Sequence, residues 1–90
     1  MASLLEHIKA GAKVVDVRTP EEFEEEHYPD ALNVSVEEVQ ARVAEFGDKN
    51  APVIVYCATG ARSAYAARIL KGVGYKEVIN AGGLYDMPGY

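Results

Sequence analysis

One stretch constrains the fold more than any other: Val53-Ile-Val-Tyr-Cys57-Ala-Thr-Gly-Ala-Arg62-Ser63, an apolar β-branched run that ends on the single cysteine. A run of this kind between Pro52 and a glycine-containing turn predicts a strand buried on both faces, as in a parallel sheet. Ala64 to Leu70 then reads as a helix crossing back over that sheet. Repeated strand and helix patterns imply an open α/β sheet, parallel, with right-handed crossovers. In such sheets the ligand crevice lies at the carboxyl ends of the strands, where Cys57 falls.

A thiol placed there acquires a chemical meaning. The amino end of a helix carries unpaired N–H donors and partial positive charge, both of which favour thiolate over thiol. Gly60 supplies the backbone angles that let successive amides curl inward around an anion. A cysteine after a buried strand also serves as a small hydrophobe in many cores. A core residue, however, has no need of Thr59, Gly60, Arg62 and Ser63 gathered just after it.

The rest of the chain supplies the frame. Leu4, Leu5 and Ile8 recur at helical spacing, with Ser3 as a start and Gly11 as a stop. Lys13 to Arg18 reads as a buried strand, which brings Asp16 and Arg18 to the same sheet edge as Cys57. Asp16 is expected to bond and orient loop groups, and Arg18 to lend positive charge or steady the loop. Thr19-Pro20-Glu21-Glu22 has the form of a capping box with proline at the first helical position. The acidic run Glu21, Glu22, Glu24, Glu25 and Glu26 reads as a solvated helix face. Ala31 to Val34 reads as a short strand, and Ser35 to Glu38 as a second capping box opening a helix through Val39, Val43 and Phe46, stopped by Gly47. Glu77 to Asn80 is the last strand, with Ala81-Gly82-Gly83 a flexible turn. His27 and His7 have no second ligand at metal spacing, and His27 reads as a hydrogen-bonded loop residue.

Composition excludes several classes. Ninety residues suit one small domain, spanning 1–90, with a modest core. No apolar run approaches the ~20 residues that cross a bilayer. A net charge of −5 argues against nucleic acid or an anionic membrane as partner. One cysteine permits no intrachain disulfide, dithiol or metal–thiolate cluster. The amino-terminal residues lack a basic region followed by a long apolar core, which points to the cytoplasm, or to the periplasm if a leader has been removed.

The motifs together resemble a known family. The stretch from Cys57 to Arg62 is similar to the six-residue active-site loop of rhodanese sulfurtransferases. Val14-Val-Asp16-Val-Arg18-Thr-Pro-Glu-Glu22-Phe23 resembles that family's Asp-Val-Arg signature, and His27-Tyr-Pro-Asp-Ala31-Leu-Asn33 its Gly-His-Ile-Pro-Gly-Ala-x-Asn motif. Gly74-Tyr75 through Gly82-Gly83 resembles its closing strand and glycine pair. The likeness runs from about Lys13 onward and is greatest to single-domain, phage-shock-type thiosulfate sulfurtransferases. It implies a rhodanese-like open parallel sheet of four to five strands, flanked by helices on both faces. Glu26 and Asp30 stand where the second motif has glycines, which points to a different backbone shape there. The opening strand of the family is not evident. The end, Leu84 to Tyr90, lacks the usual tryptophan and is expected to be truncated or loosely ordered.

The resemblance implies double displacement at sulfur, without organic cofactor or metal. Cys57 attacks the outer sulfur of a small anion such as thiosulfate and carries it as a persulfide to cyanide or to a thiol, either free or on a protein. The backbone of Ala58, Thr59, Gly60, Ala61, Arg62 and Ser63 would hold the anionic sulfur, Arg62 would attract the donor, and Arg18 and Asp16 would support the loop. Two other readings compete. A rhodanese-like binding or regulatory module would keep the fold without turnover. A cysteine-based phosphatase or arsenate reductase would carry arginine six positions after the cysteine, where this chain has Ser63.

Overall fold

The structure is a computed structural model and describes residues 3–90. Its elements run in the order α1 (Leu4–Lys9), β1 (Lys13–Asp16), α2 (Pro20–Glu25), β2 (Leu32–Asn33), β3 (Val53–Cys57), α3 (Ala61–Gly72) and β4 (Val78–Gly83). The four strands form one parallel sheet in the order β2-β1-β3-β4, so β3 lies inside it, flanked by β1 and β4.

Strand alternation divides the core. Every residue of β3 is buried. Val53, Val55 and Cys57 point to the face covered by α3, where they pack with Ala66, Ala67 and Leu70. Ile54 and Tyr56 point to the other face, packing with Leu84, Met87 and the inner side of α1. Cys57 is thus committed by its period to the α3 side. Its sulfur lies beneath the start of that helix rather than on the opposite face.

Local signals account for the short helices. Ser3 and Glu6 form a reciprocal capping box on α1, and Thr19 and Glu22 form one on α2 behind Pro20. The helix expected after Ser35 is instead two 3-10 turns, Val36–Glu38 and Val43–Phe46. Ser35 does not cap, because its hydroxyl donates to the Arg18 carbonyl at 3.2 Å. Val36 and Val39, like Val43 and Phe46, are three residues apart, the spacing that a 3-10 turn stacks on one side, and β-branched valines gain little from an α-helix. Gly47 ends the second turn as expected.

Two departures concern backbone shape. Asp30 takes a left-handed conformation with φ of 66°, the backbone region that glycine enters most readily. Glu26 is extended, with φ of −167°, a conformation open to any residue. The C-terminal segment is packed rather than loose: Leu84 and Met87 are buried in the core beside a 3-10 turn over Leu84–Asp86.

Candidate active site

Two elements meet at Cys57. The strand β3 delivers the residue, and α3 begins only three residues beyond the loop's first position, at Ala61. The helix therefore starts earlier than its apolar pattern suggests: the loop proper is Ala58-Thr59-Gly60, while Ala61, Arg62 and Ser63 form the first helical turn. Gly60 caps that turn with φ of 104°, which aims its N–H back toward the strand. The Cys57 sulfur accepts from Gly60 N at 2.9 Å and from Ser63 N at 3.4 Å, with Ser63 Oγ also at 3.4 Å. Burial pushes the thiol pKa up. Hydrogen bonding with the Ser63 side chain and hydrogen bonds from the Ser63, Gly60 and Thr59 amides outweigh it and leave the pKa below that of an ordinary thiol.

The loop is held in place by β4, through the glycine pair and through Asn80 and Asp86, to which the sequence reading gave no role. The register between β3 and β4 slips between Val55 and Cys57, and β4 takes up the extra residue. Ala81 to Gly83 are consequently part of a bulged strand rather than a free turn. The bulge turns Asn80 toward the loop: Oδ1 accepts the Ser63 hydroxyl at 2.6 Å and Gly82 N at 3.0 Å, while Nδ2 donates to the Gly60 carbonyl at 3.1 Å. At Gly83 any Cβ would overlap the Ala58 carbonyl, so only glycine lets β4 approach the loop this closely. Asp86 accepts from Gly83 N at 2.8 Å and secures the far side. The sequence signal for Asn80 was its place at the strand's carboxyl end, two residues before the glycine pair.

The charged residues are placed differently from the expectation. Asp16 is fully buried and its carboxylate bonds to Arg18 through Nε at 3.0 Å and Nη2 at 2.7 Å, not to the loop. Arg18 also donates to the Glu26 carbonyl and lies over the Tyr56 ring, 5.7 Å from its centre. Asn33 Nδ2 donates to the Asp16 and Arg18 carbonyls, so this pair binds β1 to β2 and to the end of α2. Arg62, on the first turn of α3, forks onto Glu22 with Nη1–Oε1 at 2.7 Å and Nη2–Oε2 at 3.0 Å. Glu22 thereby leaves the solvated face assigned to it. Those bonds hold its carboxyl at about 2, against the opposing effect of partial burial and with help from Thr19. Ala58, Thr59 and Ala61 are exposed at the mouth. His27 stacks on Phe23 and its Nδ1 lies 2.7 Å from the Phe23 carbonyl, far from a catalytic role.

A lone cysteine closing a parallel strand, its sulfur facing the amides of the next helix, defines an α/β protein built to carry a nucleophilic sulfur anion. Residues 1–86 match the Rhodanese-like domain family, and the chain belongs to it. It is 46% identical over 74 residues to the thiosulfate sulfurtransferase PspE of Escherichia coli, covering 81% of this chain and 71% of that protein. The thiosulfate sulfurtransferase GlpE of Coxiella burnetii is 38% identical over 73 residues, covering 81% and 67%. Among solved structures, a rhodanese with anions from E. coli superposes with a TM-score of 0.82 at 43% identity, covering 87% of this chain and 93% of that one.

Proposed function

We propose that the chain is a thiosulfate sulfurtransferase that carries sulfane sulfur as a Cys57 persulfide. The observation that carries this reading is the pair of backbone amides, Gly60 N and Ser63 N, directed at the Cys57 sulfur. The Cys57 thiolate attacks the outer sulfur of thiosulfate. A bond forms between the two sulfurs, the bond to the sulfonate sulfur breaks, and its electron pair leaves with sulfite. The persulfide's terminal sulfur is anionic, and the loop amides supply preorganised donors for it without a metal or an added cofactor in the step. Cyanide or a thiolate then attacks that terminal sulfur, leaving as thiocyanate or a new persulfide and returning Cys57 as thiolate. The acceptor thiol is small or carried on a protein, since Ala58, Thr59 and Ala61 leave the loop's outer side open.

Names given to relatives support the donor and the reaction class. The residue six positions after Cys57 is Ser63, whose hydroxyl turns inward to Asn80 and the sulfur, and this favours a one-atom sulfur cradle over a phosphoryl pocket. Steady-state kinetics test the scheme: thiosulfate and cyanide varied together should give parallel double-reciprocal lines, and Cys57→Ser should abolish thiocyanate formation. Intersecting lines, or turnover retained by the serine variant, would contradict it.

A further inference from the structure

Both guanidinium groups near the strand ends are already engaged. Arg18 is locked onto Asp16 in the interior, and Arg62 is forked onto Glu22 at the mouth. Glu22 is fixed from behind as well, because its Oε1 accepts Thr19 N at 3.1 Å and Thr19 Oγ1 at 3.2 Å in the cap of α2. The carboxylate therefore cannot swing away with Arg62 without giving up the helix cap. Arg62 belongs to the first turn of α3, next to Ser63, whose amide and hydroxyl face the reacting sulfur at 3.4 Å, and this places its charge at the loop that receives the donor. A donor reaching Cys57 thus meets a closed, neutral ion pair rather than a free cation, in a chain of net charge −5.

Resting on the sulfurtransferase reading, we infer that Glu22 is a specificity-determining residue: by holding Arg62 in a closed ion pair it lowers the preference for doubly charged sulfane donors over singly charged ones. Glu22 touches none of the reacting atoms and acts through the charge that Arg62 presents to the donor.

Two donors isolate that effect because each offers the same kind of outer sulfur and they differ by one charge. Thiosulfate releases sulfite, and methanethiosulfonate releases methanesulfinate. In both, the Cys57–sulfur bond forms as the donor's sulfur–sulfur bond breaks, and the electron pair departs with the oxidised sulfur. Glu22→Gln keeps the length of the side chain and the cap, since glutamine also serves at that capping-box position. One charge several ångströms away changes binding about threefold for each charge on the ligand, in water-like surroundings. The variant should therefore gain about tenfold in kcat/KM for thiosulfate and about threefold for methanethiosulfonate, mostly through KM, with the gain shrinking at roughly 0.5 M salt. An unchanged or lowered ratio between the donors overturns the inference; an equal loss on both would mean that Glu22 only ties α2 to α3. Glu22→Ala, with its fold checked by circular dichroism, carries the same comparison if the glutamine variant does not fold. A wild-type protein that takes sulfur from neither donor overturns the sulfurtransferase reading, and the inference with it.

Discussion

The Asn80 side-chain oxygen lies 2.6 Å from the Ser63 hydroxyl, which itself stands 3.4 Å from the Cys57 sulfur. The last strand of the sheet thereby sets the rotor that faces the nucleophile. Asn80 also holds the Gly60 carbonyl, so one side chain bonds to both Gly60 and Ser63, the two residues whose amides lie 2.9 and 3.4 Å from the sulfur. Asn80→Ala should leave the sheet folded but loosen the loop, slowing single-turnover sulfite release by roughly tenfold to a hundredfold, the order expected when a reacting group is misplaced by about an ångström. A variant that released sulfite at the wild-type rate would remove Asn80 from the machinery.

The Cys57 thiol pKa lies below its ordinary value of 9.0 despite the opposing effect of burial, because the Ser63 side chain and the loop amides favour the anion. The sign follows directly: thiolate is the reactive form, so sulfur loading should rise with pH through the lowered pKa, level off above it, and fall away on the acid side. Ultraviolet thiolate absorbance should give the same midpoint as the loading rate. Ser63→Ala should move that midpoint up by removing the hydroxyl, while the Gly60 amide keeps part of the effect.

Asp16 and Arg18 form a pair with almost no solvent access, and every buried side-chain nitrogen and oxygen among the described residues has a hydrogen-bond partner. Asp16→Asn would leave the guanidinium buried without its counter-charge, a change that costs about 3–5 kcal/mol in comparable settings. Urea denaturation should show a loss of that order. A loss below about 1 kcal/mol would mean that Arg18 finds water or another partner easily.

Gly83→Ala tests the close approach of β4 to the loop. The added methyl overlaps the Ala58 carbonyl, so either the strand or the loop must shift. Overpacking of this kind costs about 1–3 kcal/mol, measurable by thermal or chemical unfolding, and sulfur loading should fall with it. Wild-type stability and loading in the variant would show that the two backbones are free to separate.

Much of this arrangement was legible in the sequence because it depends on local patterns. The β-branched run before Cys57 fixes a doubly buried strand, and its alternation places the sulfur on the side of α3. The capping box of Thr19 and Glu22 is likewise written in four consecutive residues. The long-range polar pairings were not legible, because they join residues distant in sequence: Arg62 meets Glu22 across forty positions and Ser63 meets Asn80 across seventeen. Asp16 and Arg18 lie close in sequence, yet their pairing removes both from the loop, an outcome that depends on burial rather than on spacing. The segment after Ser35 misled for a related reason. Its cap residue is used in a tertiary bond to Arg18, and a short-range pattern contains no trace of that competition.

The central claim is that Cys57 carries the transferred sulfur, and intact-protein mass spectrometry tests it most directly. The protein is incubated with thiosulfate and weighed before and after cyanide, beside Cys57→Ala. The account predicts a gain of one sulfur, about 32 Da, that cyanide removes and the alanine variant never acquires. No gain in the wild-type protein, or an equal gain in the variant, would contradict it.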